Sequence, residues 1–174
     1  MKNKAIPFAI AKSVYQIPIS FYINNGIKHV LLDLDNTLAS YKDKLPSEET
    51  KKLIQSLKDA GLSVAIASNN TNERVRNFAK ELGINAYCDM RKPFAGPLKK
   101  VIQKEGFNPD ETTLIGDQIL TDVYAANKAG IKAILCMPLT PLDPPWTRIN
   151  RFFAKGKMKK LYKEPYKHMW KEIL

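Results

Sequence analysis

Two aspartates that lie two positions apart, Asp33 and Asp35, follow a short apolar run, and Asp117 follows another such run. Side chains at positions i and i+2 of a strand point to the same face, so the carboxylates of Asp33 and Asp35 are predicted to converge. Converging carboxylates repel each other unless a cation or a proton lies between them. Carboxylates, together with substrate phosphate oxygens, are the ligands that Mg²⁺ uses. The sequence therefore predicts a Mg²⁺ site formed by Asp33, Asp35 and Asp117.

Three further polar residues are candidates for binding the phosphate group. Ser68 and Asn69 follow an apolar run. Their hydroxyl, side-chain amide and backbone N–H groups can donate hydrogen bonds to the oxygens of a phosphoryl group. Lys92 precedes a proline and would balance negative charge on the transferring oxygens. Ser68 or Lys92 alone is better explained as a turn residue or a cap. The ordered set, taken with the acids, predicts a phosphate-binding site.

The elements that position these residues follow from an alternation of apolar runs and amphipathic stretches that begins at His29. The predicted strands cover residues 29–34, 62–67, 84–88, 112–115 and 131–136. Four helices are predicted between them: one begins at residues 46–47, one follows residue 70, one covers residues 97–105, and one begins near residues 121–122. Fully apolar strands joined by helices are typical of a parallel sheet covered on both faces. Ligands bind at the carboxyl ends of such strands, where Asp33, Ser68 and Asp117 lie.

The four groups of residues resemble the motifs of the haloacid dehalogenase (HAD) superfamily of phosphatases. Asp33-Leu34-Asp35-Asn36-Thr37 is similar to its DxDxT motif, Ser68-Asn69 to its second motif, Lys92 to its third, and Gly116-Asp117 through Asp122 to its GDxxxxD motif. Shorter segments resemble the YqeG family, a IIIA-type branch that is similar to the mitochondrial phosphatidylglycerophosphate phosphatases. These segments are residues 26–29, 33–38, 68–70, 116–118, 121–123 and 147–151.

The resemblance implies an α/β fold, a Rossmann-like three-layer α/β/α arrangement with a central parallel sheet, and hydrolysis through an aspartyl-phosphate. Asp33 would attack phosphorus, and Asp35 would protonate the leaving oxygen and then activate water. Mg²⁺ would be held by Asp33, by the backbone carbonyl of Asp35 and by Asp117. An acid at position 35 separates this chain from the dehalogenase branch. Asp122 either belongs to the metal shell or caps the following helix.

The spacing of the motifs leaves no room for an inserted cap domain. Ser68 lies 35 positions after Asp33, and Lys92 lies 24 positions after Ser68, so local elements fill both intervals. A site without a cap stays open, which favours a phosphate carried by a bulky group such as a lipid, a nucleic-acid end or a protein. We therefore expect one HAD-like phosphatase domain over residues 1–174, with a catalytic core at about 28–136.

The net charge of +11 lies in the two flanks of this core. Residues 1–29 hold four lysines and no acid, and residues 148–174 hold nine basic and two acidic residues. Such flanks indicate an anionic partner, either a membrane surface or nucleic acid, and ordinary solubility charge is the alternative.

Apolar residues in the flanks leave a similar choice open. The C-terminal flank carries a stripe at helical spacing among lysines, interrupted by Pro165, that suits a membrane interface. The stripe consists of Met158, Leu161, Tyr162, Tyr166, Met169, Trp170 and Ile173. The alternative is that part of the stripe packs on the protein's own sheet. The apolar residues of the N-terminal flank pose the same question.

Composition sets the class of protein. The chain has 174 residues, 44% of them hydrophobic and 26% charged, as a single globular domain has. No apolar run approaches the roughly 20 residues that span a bilayer. Cys88 and Cys136 lie in apolar runs without metal-ligand spacing, as free thiols do in a reducing cytoplasm. We expect a cytoplasmic protein with peripheral contact at the inner face of the membrane.

The leading hypothesis is a Mg²⁺-dependent phosphatase acting on a lipid phosphate such as phosphatidylglycerophosphate. A phosphatase for nucleic-acid or protein phosphate is the first alternative. A non-catalytic module associated with RNA or the ribosome is the second. Nucleic acid is the weaker partner because the sequence has no RNA-stacking motif and no Gly-Arg tract. The sequence predicts neither the oligomeric state nor a role for the two histidines.

Overall fold

A parallel seven-stranded sheet forms the centre of the computed structural model, which describes residues 4–70, 73–140, 156–163 and 166–173. Its strands are β1 (Ala9–Ala11), β2 (His29–Leu32), β3 (Ser63–Ala67), β4 (Asn85–Tyr87), β5 (Thr112–Gly116), β6 (Lys132–Cys136) and β7 (Lys171–Ile173). Their order across the sheet is β4-β3-β2-β5-β6-β1-β7, and every neighbouring pair is parallel.

Helices cover both faces of the sheet, and five of them lie within residues 19–129. They are α1 (Ile19–Asn24), α2 (Glu48–Asp59), α3 (Glu73–Glu81), α4 (Gly96–Lys104) and α5 (Tyr124–Ala129). Val30 and Leu32 pack with the first three helices, while Leu31 packs with α4 and α5, because successive strand residues point to opposite faces. The predicted three-layer α/β/α fold is therefore confirmed. No helix within the described ranges has the length and apolar character needed to cross a membrane.

Two helix ends follow directly from local sequence. The Oγ of Ser47 accepts a hydrogen bond from the Thr50 N–H at 3.1 Å, so Ser47 caps α2 as a serine at this position should. Gly130 ends α5 with φ +83°, a left-handed conformation in which a side chain would be strained. The helix predicted to begin near residues 121–122 starts instead with a π-helical turn, Ile119–Val123, before α5.

Strand β2 ends at Leu32, two residues earlier than predicted. The chain turns at Asn36, which has φ +63° and donates its N–H to the Ala39 carbonyl at 2.7 Å. Asparagine tolerates this left-handed conformation better than most residues do. Because the regular strand stops before Asp33, the alternation that predicted Asp33 and Asp35 on one face does not extend to them.

Both flanks contribute strands to the sheet. From the N-terminal flank, β1 pairs with β6 on one side and with β7 from the C-terminal flank on the other. Leu161 and Ile173 are buried, whereas Tyr162 and Met169 remain about half exposed. The C-terminal stripe is not one helix: residues 156–161 are helical and Ile173 lies in β7. Packing on the protein's own core is therefore correct for part of this stripe.

The described residues contain no separate cap domain. Between β2 and β3 the chain forms a turn and α2, and the described residues between β3 and β4 form α3. The prediction of a fold without a cap is confirmed. Residues 141–155 include the matched segment 147–151 and three basic residues of the C-terminal flank, and they lie outside the described residues.

Candidate active site

The candidate site lies at the carboxyl edge of the sheet, where parallel strands of an α/β fold present their ligands. Asp33 directly follows β2, Ser68 directly follows β3 and Asp117 directly follows β5. Lys92 comes from the segment after β4. The N–H of Asp33 donates to the Ile115 carbonyl at 2.8 Å, which fixes its backbone against β5. The fold thus brings four separated motifs to one edge.

Lys92 is the buried centre of this site. Its Nζ lies 2.7 Å from Asp33 Oδ1, 2.7 Å from Asp122 Oδ1 and 2.8 Å from the Ala67 carbonyl. Burial alone would lower the pKa of Lys92, but the carboxylates of Asp122 and Asp33 outweigh burial and raise it. Burial is also the main cause of the raised pKa of Asp33, which the Lys92 ammonium opposes and Asp122 increases. The ammonium is held charged between two acids.

Three buried carboxylates form an acid cluster around this lysine. Asp33, Asp117 and Asp122 each place one oxygen within 4.8 Å of the others. One ammonium cannot neutralise three carboxylates, and hard divalent cations prefer such oxygen ligands. The residues therefore fit the divalent cation that the predicted chemistry requires. Asp33 and Asp117 were predicted as ligands from the sequence, and Asp122 is a third candidate.

Asp122 reaches the cluster because of its own hydrogen bonds and a nearby glycine. Its Oδ2 accepts hydrogen bonds from the Gln118 N–H at 3.1 Å and from the Thr121 hydroxyl at 3.3 Å. A Cβ on Gly116 would lie 2.3 Å from the Asp122 carboxyl carbon, which is far below any tolerated contact. The carboxylate is directed at Lys92 and the acid cluster, rather than at the amide groups that begin α5.

Asp35 lies outside the acid cluster, unlike the convergence predicted for Asp33 and Asp35. Its Oδ1 pairs with Arg74 Nη1 at 2.7 Å, and its Oδ2 accepts a longer hydrogen bond from the Asn70 amide at 3.5 Å. The side chain of Asp35 is 29% exposed, whereas that of Asp33 is 10% exposed. Two acids that are two residues apart therefore occupy different environments. A backbone carbonyl of Asp35 as a metal ligand stays a prediction.

Ser68 and Asn69 are both held at the site by hydrogen bonds. Ser68 is buried, its backbone pairs with Tyr87 and Met90, and its Oγ accepts the Asn70 N–H at 3.1 Å. The side-chain amide of Asn69 exchanges two hydrogen bonds with the Lys92 backbone, accepting at 2.7 Å and donating at 3.0 Å. Asn69 therefore holds the segment that carries Lys92. Phosphate binding by Ser68 and Asn69 stays a prediction.

Sequence reasoning did not identify Arg74, which contacts Asp35. The residue lies in the first turn of α3, where the helix dipole disfavours positive charge. That position is a weak sign of a specific acidic partner. Which acid it meets depends on the turn after β2, which the sequence pattern does not specify.

Comparisons with known proteins show the family to which the chain belongs. A family model for haloacid dehalogenase-like hydrolases matches residues 24–136. The chain is 30% identical over 151 residues to "Probable phosphatase YqeG" of Bacillus subtilis, spanning 87% of this chain and 88% of that protein. It is 25% identical over 155 residues to phosphatidylglycerophosphate phosphatase 1, chloroplastic/mitochondrial, of Arabidopsis thaliana, spanning 81% of this chain and 43% of that protein.

A similar solved structure is 3-deoxy-D-manno-octulosonate 8-phosphate phosphatase from Moraxella catarrhalis, in complex with a magnesium ion, a phosphate ion and a KDO molecule. Its TM-score is 0.51 and its identity 26%, over 66% of this chain and 71% of that chain. Fold, site and family match together place the chain among the haloacid dehalogenase-like hydrolases, to which it belongs. Within this family it is a HAD-type phosphatase, with YqeG of Bacillus subtilis as a relative over most of both chains.

Proposed function

We propose that this phosphatase hydrolyses phosphomonoesters through a phosphorylated Asp33, with Mg²⁺ as cofactor. The observation that carries the proposal is the position of Asp33, buried beside Lys92 in the acid cluster at an open sheet edge. Asp33, Asp117 and the Asp35 backbone carbonyl would hold the cation, with Asp122 beside them. Bound Mg²⁺ would neutralise the carboxylates and stabilise charge on the transferring phosphoryl oxygens.

The chain's own residues account for both chemical steps. Asp33 attacks phosphorus, the bond from phosphorus to the leaving oxygen breaks, and Asp35 gives its proton to that oxygen. Asp35 then takes a proton from water as that water attacks phosphorus, which breaks the bond from phosphorus to Asp33, frees inorganic phosphate, and returns Asp33 to its carboxylate and Asp35 to its protonated form. Lys92 balances the phosphoryl charge, Ser68 binds a phosphoryl oxygen, and Asn69 keeps Lys92 in place.

We further propose that the physiological phosphate is carried by a bulky group at a membrane, with phosphatidylglycerophosphate as the favoured example. Three observations support this substrate class. The described residues contain no cap domain over the site, and the net charge is +11. The third is the similarity to a plant protein whose name states phosphatidylglycerophosphate phosphatase activity. Exposed lysines of the C-terminal flank would contact the anionic lipid surface.

A phosphate-release screen tests this proposal. Wild-type protein is assayed with Mg²⁺ or EDTA on phosphatidylglycerophosphate in mixed micelles, on nucleotides and on phosphopeptides, and the Asp33→Asn variant is the control. We expect Mg²⁺-dependent release that is greatest with the lipid and absent in the control. Faster release from nucleotides or phosphopeptides would overturn the lipid assignment and leave the phosphatase. Release that is equal in EDTA would contradict the metal assignment.

A further inference from the structure

Arg74 connects the candidate acid and base Asp35 to the turn that follows it. Its Nη1 lies 2.7 Å from Asp35 Oδ1, its Nη2 donates to the Ser40 carbonyl at 2.7 Å, and its Nε donates to the Asp43 carbonyl at 2.5 Å. Three nitrogens of one guanidinium thus serve three acceptors. The Arg74 side chain is 14% exposed, so water competes weakly for these bonds.

The segment that Arg74 contacts is already closed by its own hydrogen bonds. The Ser40 N–H donates to Asp43 Oδ2 at 2.8 Å, and the Asp43 N–H donates to the Ser40 carbonyl at 3.0 Å. Nearer the site, Asp35 forms a bridge with Ala39. Residues 35–43 therefore form a compact turn, and Arg74 attaches that turn to α3.

The geometry requires an arginine. A guanidinium is planar and presents its donors in a fixed fork, whereas a lysine ammonium is a single point charge on a flexible stem. A lysine at this position would keep the charge next to Asp35 but could not serve both carbonyls in the same arrangement. The Arg74→Lys substitution therefore separates the effect of the positive charge from the effect of the guanidinium geometry.

We propose that Arg74 is a positioning residue for Asp35, and this rests on the role of Asp35 proposed above. By holding the Asp35 carboxylate and the turn at residues 40–43 together, Arg74 keeps the acid and base at one place beside the leaving oxygen. Small displacements of a catalytic group cost much of its effect, roughly 10²-fold for about 1 Å. Arg74 acts through Asp35 and has no contact of its own with the reacting atoms.

A double-mutant cycle tests this role. The variants are Arg74→Met, Arg74→Lys, Asp35→Asn and the Arg74→Met/Asp35→Asn double variant, and the control is Arg76→Met on the exposed side of the same helix. Each is assayed with Mg²⁺ on a simple alkyl phosphate and on an aryl phosphate with a good leaving group. The readouts are kcat, KM, kcat/KM and the Mg²⁺ concentration needed for half-maximal rate.

We expect Arg74→Met to lower kcat/KM on the alkyl phosphate by roughly 10²-fold, with KM within about threefold of wild type. The loss should be several times smaller on the aryl phosphate, because its leaving oxygen needs little protonation. In the Asp35→Asn background the same substitution should cost less than about threefold, because residues that act as a unit are not additive. The kcat/KM of Arg74→Lys should lie between those of wild type and Arg74→Met, and that of Arg76→Met should equal the wild-type value. The Mg²⁺ concentration needed for half-maximal rate should be the same in all these proteins.

Two results would overturn the proposal. A full additional loss in the Asp35→Asn background would mean that Arg74 acts independently of Asp35. A loss confined to KM would mean that Arg74 binds substrate directly. Urea unfolding of the wild type, the Arg74→Met and Asp35→Asn variants and the double variant gives a second readout that does not depend on activity. Contacting residues should couple by about twofold to about 150-fold in the unfolding equilibrium constant.

The unfolding cycle also separates this proposal from the proposed function. If wild-type protein released no phosphate from any substrate, the proposed function would fail. The unfolding coupling would then still decide whether Arg74 holds Asp35, since an absent coupling contradicts the contact.

Discussion

Two regions of the same sheet differ in where their charged side chains lie. The catalytic edge is formed by the carboxyl ends of β2, β3 and β5, and the flank edge is the side of the sheet that ends in β1 and β7. At the catalytic edge the side chains of Lys92 and Asp122 are each 2% exposed and lie in direct contact. The flank edge consists of β1, β7 and the described residues 156–163 and 166–170, and there Lys159, Lys163 and Lys167 are exposed. One region pairs its charges inside the protein, and the other presents them to solvent.

Under the proposed function, the buried charges set the chemistry and the exposed charges set the partner. Buried charges interact strongly and are little screened, whereas exposed charges are screened over a Debye length of about 8 Å at physiological salt. Strand β7 lies four strands from β2, or about 19 Å at about 4.8 Å per strand. Because Lys159, Lys163 and Lys167 are exposed, solvent and salt screen their charge, and changes in the two regions should have separable effects.

The largest effect is expected from Asp33→Asn at the catalytic edge. Turnover should be lost on every substrate, because an amide cannot serve as the nucleophile. Stability without metal should stay equal or rise, since the change removes one of three clustered carboxylates. Phosphate release and thermal unfolding in EDTA measure both effects. Substantial remaining activity would show that Asp33 is not the nucleophile.

Asp35→Asn should have the next largest effect. Loss of a general acid typically costs about 10²–10⁴-fold, so turnover should fall by that order. Mg²⁺ affinity should persist, because the Asp35 side chain lies outside the acid cluster and its backbone carbonyl remains. Mg²⁺ titration by calorimetry beside Asp117→Ala measures this. Equal loss of affinity in the two variants would make the Asp35 side chain a ligand.

Gly116→Ala should cause a moderate loss that arises within the catalytic edge. The new methyl would lie 2.3 Å from the Asp122 carboxyl carbon, so the carboxylate must shift from its present position beside Lys92. Overpacking of this kind costs about 1–3 kcal/mol. Urea unfolding and phosphate release should both show a decrease. Gly156→Ala is the matched control, since its Cβ would meet nothing within 4 Å, and a similar loss there would refute the steric explanation.

The smallest effect is expected at the flank edge. Changing Lys159, Lys160, Lys163 and Lys167 to Gln should leave hydrolysis of a soluble aryl phosphate unchanged, since all four side chains lie outside the site. Binding to anionic vesicles should weaken, at about 1 kcal/mol for each lysine near the surface. Vesicle co-sedimentation at low and high salt measures this.

Substitution is a better test of the flank than truncation. Removal of the C-terminal flank would also remove β7, which pairs with β1, and would expose the apolar edge of the sheet. Equal losses on soluble and vesicle-borne substrates after the lysine changes would contradict membrane contact through this surface.

Local sequence determined a large part of the fold and of the site. Apolar runs such as residues 62–67, the Ser47 cap and the glycine that ends α5 depend on neighbours a few residues away. Their element types were therefore predictable. Because parallel strands end at one edge, the positions of Asp33, Ser68 and Asp117 were predictable as well. The sequence by itself thus determined the class of fold, the edge that carries the site and the presence of Asp33, Ser68 and Asp117 at that edge.

Tertiary structure decided the contacts between those residues. Asp35 meets Arg74 across 39 positions, and Asn69 meets the Lys92 backbone across 23. Such pairs depend on how a turn at Asn36 directs the chain and on which strands become neighbours. The two flanks became β1 and β7 because the sheet offered an unpaired edge beyond β6. Periodicity and capping act over one or two turns of chain, so they cannot specify contacts that form only when distant segments pack.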